Sequence, residues 1–268
     1  MTRISRAATG AVAAATLLVA VAGCAGGTPT DSAAAPSGPQ LVNEGKLTTC
    51  TSLPYEPFQY PEGDKIVGFD VDMIDLVATQ LGVTQEIVDT PFEGIESGEA
   101  MNSGLCDVAA AAMTIKPERA EKFDFSVPYF DATQALLVNA SSGITSAEQL
   151  AGKKVGVQNA TTGAQWATEN LPDSELVTFD DLGLLTTAAQ TGQVDAAVND
   201  NIPLRDFVEK TPGMAVTAEF ATGEEYGFGV RKGNQALLDV INEAITKAKA
   251  DGTYDRIYEM WIGAKPAS

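Results

Sequence analysis

The chain contains no histidine, and this one absence removes most of the familiar side-chain chemistry. A Ser-His-Asp triad, a Cys-His pair, an H-E-x-x-H zinc site and a His-ligated haem all need an imidazole. The cysteines, Cys24, Cys50 and Cys106, stand too far apart for a four-cysteine metal centre. Two glycine patterns fail on spacing. Gly227-x-Gly229-x-x-x-Gly233 is one residue too long for the dinucleotide fingerprint and no strand-to-helix turn follows it, while Gly152-Lys153 lacks the upstream glycine of a phosphate-binding loop. Any catalysis would rest on Asp, Glu, Lys, Tyr or Ser. The acidic cluster Asp70, Asp72 and Asp75 reads as the exposed face and cap of a helix, solvated rather than reactive. No metal or cofactor site is expected. These residues point to binding.

The elements that must position such residues belong to an ordinary globular chain. It has 268 residues, 44% hydrophobic and 20% charged, enough for one large domain or two small ones. Lys plus Arg number 17 against 36 Asp plus Glu, a formal charge of −19 that repels phosphate backbones, so nucleic acid is not an expected partner. Arg3 and Arg6 precede an uncharged run from Ala7 to Ala22, too short for a membrane span and right for a signal peptide. Small residues lead directly into Cys24, a pattern that resembles a bacterial lipobox, with residues 1–23 cleaved and Cys24 lipidated. Residues 24–40 read as a flexible tether of Gly, Pro, Ser and Ala. Removing residues 1–23, with their two arginines, takes the charge to −21 and places the mature protein outside the cytoplasmic membrane, where disulfides are permitted. Cys50 and Cys106 are then an even pair. Both fall on expected strands of one parallel sheet, in a register that does not set them opposite each other, and the pairing is left open.

From residue 46 onward strand and helix alternate. LTTCTS and IVGFDV read as strands; Ile74, Val77, Ala78 and Leu81 form one helical face stopped by Gly82. TQEIVDTPF is a strand, Glu93 to Asn102 a helix, and CDVAAAAM an uninterrupted apolar strand buried on both faces. After QALLVNA, Ser146 with Gln149 and Thr162 with Gln165 offer capping boxes for two helices, with KKVGVQ a strand between them. LVTFD, a helix ending at Gly192, and VDAAVN follow. After YGFGV come two closing helices, one ending at Gly252 and one capped by Thr253. The alternation predicts a mostly parallel α/β architecture with two α/β units, whose division periodicity does not locate.

Nine segments, in order, resemble one family: the polar-amino-acid class of bacterial extracellular solute-binding proteins that feed ABC importers. They are Tyr55-x-Pro57-Phe58, GFDVDM (68–73), Phe92-x-Gly94-Ile95, CDVAAAAMTIKPER (106–119), FDFSVPYF (123–130), KKVGVQNATTG (153–163), VDAAVND (194–200), EEYGFGVRKG (224–233) and ADGTYDRIYEMWIG (250–263), the fourth carrying both a strand and the T-x-x-x-x-R segment. The resemblance implies a two-lobed, periplasmic-binding-protein-like (type II) α/β fold that closes on its ligand. Each lobe would be a mostly parallel sheet flanked by helices. Residues 41–130 and 223–268 would form lobe 1 and 131–222 lobe 2, with crossings near Tyr129–Thr133 and Thr222–Tyr226.

The same resemblance implies the site. Arg119 would grip an amino acid's carboxylate with its planar fork, assisted by Thr162 at a helix N-terminus. Asp200 would pair with the ammonium, Thr114 and the backbone at Ala112 would complete the contacts, and Tyr55 and Phe92 would sandwich the ligand. Ser52, Gln158 and Asn199 would line the side-chain pocket, with Lys116 where the family more often has Thr. Ser52, where an aspartate is common, argues against a cationic ligand, although Glu56 could restore that preference. A neutral polar amino acid such as glutamine is the first choice, a basic or acidic one the alternative. The implied partners are the permease subunits of an ABC importer and a lipid anchor, with the protein itself a monomer. An exported dehydratase of the prephenate or arogenate type and an amino-acid sensor module are the competing functions.

Overall fold

The computed structural model describes residues 38–264; the expected leader, Cys24 and most of the expected tether lie outside the described residues. The chain opens with β1 (Lys46–Thr51) and a small hairpin, β2 (Tyr60–Glu62) and β3 (Lys65–Val67). Helix α1 (Phe69–Leu81), β4 (Thr84–Asp89), α2 (Phe92–Glu96), α3 (Glu99–Asn102), β5 (Val108–Ala109), α4 (Pro117–Ala120) and β6 (Phe123–Phe125) follow. The next stretch holds β7 (Phe130–Asn139), a 3-10 turn (Ala147–Leu150), β8 (Lys154–Gln158), α5 (Thr162–Asn170), β9 (Glu175–Phe179), α6 (Leu182–Thr191), β10 (Ala196–Asp200) and α7 (Asn201–Lys210). Strands β11 (Met214–Tyr226) and β12 (Gly229–Arg231) lead back to α8 (Gln235–Asp251) and α9 (Thr253–Trp261).

Two five-stranded sheets result, ordered β4-β1-β5-β12-β6 and β11-β7-β10-β8-β9. Each is parallel where consecutive strand–helix units build it and antiparallel where a returning strand joins: β12 runs against β5 and β6, and β7 against β10 and β11. The sheets are therefore mixed. Strands β7 and β11 pair from Asn139–Met214 down to Phe130–Tyr226 and carry the chain between the sheets. The base of this ribbon is set in aromatic packing, with the rings of Tyr129 and Phe228 stacked 4.1 Å apart and Phe130 stacked on Tyr226. The Tyr254 hydroxyl donates to the Tyr129 carbonyl, which ties α9 to the crossing.

Local chemistry explains where expectation and structure part. The α1 stripe is as read, with Ile74, Val77 and Ala78 buried and Gly82 in the left-handed conformation at the end. IVGFDV, however, is not one strand. Gly68 takes φ 136°, and a Cβ there would lie 2.2 Å from the Phe58 carbonyl oxygen, so the chain turns at this glycine and Phe69 already begins α1. The helix expected over 93–102 is broken into α2 and α3 by Gly98, also left-handed. In the apolar run from Cys106, only Val108 and Ala109 pair as a strand; Ala110 to Met113 stay buried as a loop. The Ser146–Gln149 capping box forms. The second does not: Thr161 is the cap, its hydroxyl accepting from Ala164 N–H, and Thr162 is the first residue inside α5.

Cys50 and Cys106 form a disulfide with Cα atoms 5.7 Å apart. Cys50 sits opposite Ala109 in the sheet, and the bond is made because Cys106 lies in the turn that enters β5. Closing a loop of 56 residues restrains the unfolded chain by roughly 4 kcal/mol on the loop-entropy account.

Candidate functional site

Four parallel strands, β1, β5, β8 and β10, end on a common cleft, the usual ligand position at the carboxyl ends of open α/β sheets. From the first sheet's side come Ser52, Tyr55 and Gln59 after β1, Phe92 at the start of α2, Ala111, Ala112 and Thr114 after β5, and Arg119 on α4. From the second come Gln158 at the end of β8, Thr161 and Thr162 at the start of α5, and Asp200 at the end of β10. The cavity they enclose is small, about 20 Å³, well below the ~300–1,000 Å³ usual for small-molecule sites. Nine of the ten residues expected to bind a ligand are on this list; the tenth, Asn199, stands one layer behind. Its Oδ1 accepts from the Tyr55 hydroxyl at 2.7 Å and its Nδ2 donates to Gln158 Oε1 at 3.2 Å.

Arg119 is buried and reaches both walls. Nη1 donates to the Thr114 carbonyl at 2.9 Å and Nη2 to the Ala160 carbonyl at 3.0 Å, while the guanidinium carbon sits 5.3 Å from the centre of the Phe92 ring. Burial pushes its pKa down, opposed by the charges of Glu96, Asp200 and Glu224. Of the five guanidinium protons, one on each Nη remains beyond these two bonds. Two alanines flanking the cleft, Ala112 and Ala160, have φ of 46° and 62°. Such conformations cost a non-glycine residue of order 1–3 kcal/mol and persist where the surroundings hold them.

What holds Ala112 is Asp70. Contrary to the expectation of a solvated helix face, Asp70 is fully buried, accepting from Ala112 N–H at 2.8 Å and from the Tyr129 hydroxyl at 2.7 Å. The α1 cap position is Gly68, so Asp70 is free to turn inward. Burial raises its carboxyl to about 7 against the two hydrogen bonds that favour the anion.

Asp200 occupies the cap position of α7 but makes no capping bond. Its carboxylate accepts instead from the Tyr55 hydroxyl at 2.8 Å, the Tyr226 hydroxyl and Gln134 Nε2. Burial and the charge of Glu224 push its pKa up to about 6, and the three donors pull the other way. Glu224, from β11, accepts from Thr114 Oγ1 and Thr162 Oγ1, each at 2.7 Å, and from Gln134 Nε2 at 3.0 Å. Burial pushes Glu224 up, yet the bonds from Thr162, Thr114 and Gln134 outweigh it and leave the carboxyl below its ordinary value.

Glu56 does not line the cleft: it is paired with Lys210 on the surface. Lys116 is likewise outside, bonded to Gln165. The sequence reading missed Gln59, Gln134, Glu224 and Tyr226. Gln134 carried a signal, a large amide opening an otherwise apolar strand, and buried glutamines are uncommon unless bonded. Glu224 and Tyr226 lay within a segment read as a crossing and as part of the family pattern, with no role at the ligand.

A sequence profile of the bacterial extracellular solute-binding proteins, family 3, matches residues 47–264. The chain is 34% identical over 229 residues to the L-cystine-binding protein TcyJ of Escherichia coli (strain K12), covering 84% of this chain and 85% of that one. It is 35% identical to the ABC transporter glutamine-binding protein GlnH of Bacillus subtilis (strain 168), covering 77% of each. Among solved structures, an ancestral arginine-binding protein bound to glutamine superposes with a TM-score of 0.78 at 40% identity, over 83% of this chain and 100% of that one.

Proposed function

The chain belongs to the bacterial extracellular solute-binding proteins, family 3, and from that premise we propose that it captures a neutral polar L-amino acid, glutamine first, for delivery to a membrane permease. The broader statement needs no proposal: this is an amino-acid-binding protein of ABC transporters, extracytoplasmic like its family, and not an enzyme. The observation that carries the finer reading is the charge of the cleft lining. Only Arg119 and Asp200 are charged, one of each sign, and a zwitterion uses both. The remaining polar liners, Ser52, Gln59, Gln158 and the threonines, are neutral. Glu56, the one residue that could have favoured a cation, is engaged by Lys210.

In this reading Arg119 and the first N–H groups of α5 at Thr162 hold the carboxylate, and Asp200 with Thr114 and the Ala112 backbone holds the ammonium. Tyr55 and Phe92 cover the ligand's faces, and Ser52, Gln59, Gln158 and, from behind, Asn199 shape the side-chain pocket. Gln59 Oε1 is buried without a partner, which suits a ligand side chain that donates a hydrogen bond. Residues 41–130 with 223–268 move as one lobe and 131–222 as the other, about the crossings near Tyr129–Thr133 and Thr222–Tyr226. Cys24 anchors the chain in lipid, residues 24–40 tether it, and it works as a monomer beside the permease.

A thermal-shift screen of the twenty L-amino acids tests the ligand class. At a hundred times its dissociation constant a ligand adds about 2.7 kcal/mol. Glutamine or another neutral polar amino acid should give the largest shift; a dominant response to arginine or lysine overturns the neutral assignment, and no response overturns the cleft as an amino-acid site.

A further inference from the structure

Behind the cleft's amine half stands one residue outside the lining that binds two residues within it, Thr114 and Thr162, and the glutamine beside them. Glu224 does not border the cleft, but its carboxylate takes the hydroxyl protons of Thr114 and Thr162 and one proton of the Gln134 amide. A threonine hydroxyl has a single proton. Once that proton is committed to Glu224, the hydroxyl can only accept on its other side. Gln134 Nε2 in turn has two protons facing three acceptors, Asp200 Oδ1, Glu224 Oε1 and, at 3.2 Å, Thr162 Oγ1. Its own Oε1 is buried without a partner. The cluster thus holds two carboxylates, four neutral donor side chains beside the amide, and no bonded cation.

We propose that Glu224 is a positioning residue that fixes the polarity of this wall, turning the Thr114 hydroxyl into an acceptor so that the amine half of the cleft takes only a protonated amine, and taking up the Thr162 hydroxyl so that the N–H groups of α5 alone face the carboxylate. The proposal rests on the amino-acid reading of the cleft and adds to it the residue that makes one half of a symmetric-looking hydroxyl pair select ammonium over carboxylate. It also assigns a role to the crossing strand: β11 places Glu224 against Thr114 from the first sheet's side and Thr162 from the second, so the selection is assembled only when the two sides meet.

The groups facing Asp200 are Tyr55 after β1, Glu224 and Tyr226 on β11, Gln134 on β7 and, at longer range, Arg119 on α4. Glu224 is the one anion among them and raises Asp200, while itself remaining ionised. A proton arriving as pH falls therefore goes to Asp200, and an ammonium must expel it. Affinity is full above the Asp200 pKa and declines below it, by up to about tenfold per pH unit. Removing the Glu224 charge moves that onset down, an effect that a purely structural role does not produce.

The experiment is calorimetry of the wild type and Glu224→Gln with L-glutamine and with L-arginine from pH 5 to 8. The expected result is affinity at least tenfold weaker at pH 7.5 in Glu224→Gln, because a neutral amide turns one hydroxyl back into a donor, together with an acid onset at lower pH than in the wild type. Glu224→Asp, which keeps the charge but reaches less far, should weaken binding while holding the onset in the wild-type range, and it carries the test if Glu224→Gln does not fold. Unchanged or tighter binding by Glu224→Gln, weaker binding with an unmoved onset, or a shifted onset in Glu224→Asp overturns the proposal. A wild type that binds neither amino acid overturns the reading of the cleft on which it stands.

Discussion

Asp70 and Asp200 are two buried carboxyls in the same architecture, and burial lifts both, to about 7 and about 6. By burial and by titration they are nearly alike; their neighbours separate them. Asp70 is closed in between α1 and the Ala110–Thr114 loop, bonded to one backbone N–H and one tyrosine. Asp200 stands at a strand end on the cleft, with a second carboxylate as neighbour and only neutral donors around it. A raised pKa thus marks a buried anion whose cost is borne by the fold. Whether that cost serves the scaffold or is recovered by a ligand depends on what the carboxyl faces. Asp70 keeps Ala112 in its left-handed conformation; Asp200, in the proposed reading, waits for an ammonium.

The largest effect that tests this contrast is on binding. Asp200→Asn should cost about 3 kcal/mol of amino-acid affinity, over a hundredfold, as when one partner of a desolvated charged pair is removed. The fold should persist, since the substitution also removes a buried negative charge. Equal loss of affinity in Asp70→Asn, measured by the same calorimetry, would break the comparison.

The next effect is on stability. Asp70 is raised in the folded state, so the folded protein binds more protons than the unfolded chain between about pH 4 and pH 7, and stability is lost as pH rises through about 7. Asp70→Asn removes this dependence, its amide oxygen still able to accept from Ala112 N–H. Urea unfolding at pH 5 and pH 8 should show the wild type losing about 2 kcal/mol relative to the variant over that interval. A variant that loses as much as the wild type would mean that the Asp70 carboxyl does not titrate there.

The smallest effects sharpen the same contrast from the donor side. Tyr129→Phe removes a donor from Asp70 and should lower stability by about 1 kcal/mol with little change in affinity. Tyr55→Phe removes a donor from Asp200 and should weaken binding by about 1 kcal/mol, keeping the ring's coverage of the ligand, with little change in stability. An exchange of the two phenotypes would reverse the assignment of the two aspartates.

Several elements were legible because their determinants are local. The stripe Ile74, Val77, Ala78 closed by Gly82, the Ser146–Gln149 capping box and the buried strand ending in Asp200 follow from periodicity and cap chemistry, and the structure holds each. The expected cleft residues could be placed because the ordered segments carrying them were recognisable as a set. The misses were of another kind. IVGFDV has the composition of a strand, and a backbone approach between Gly68 and Phe58, distant in the reading of either segment alone, makes it a turn into a helix. Ala110 to Met113 has the apolarity of a strand, yet it forms part of a cleft loop because Asp70 binds its backbone.

What the sequence determined by itself was therefore the inventory: α/β alternation, no imidazole chemistry, a strongly acidic chain, and the segments of a family that binds amino acids. Those properties depend on residue types and on spacings of a few positions. The tertiary structure decided direction and pairing. It turned Asp70 inward, spent Glu56 on Lys210, joined Cys50 to Cys106, moved the α5 cap to Thr161 and so freed the Thr162 hydroxyl for Glu224. The α5 cap apart, these outcomes depend on groups tens of residues apart in the chain, and which partner a buried polar group finds there is fixed only when the elements pack.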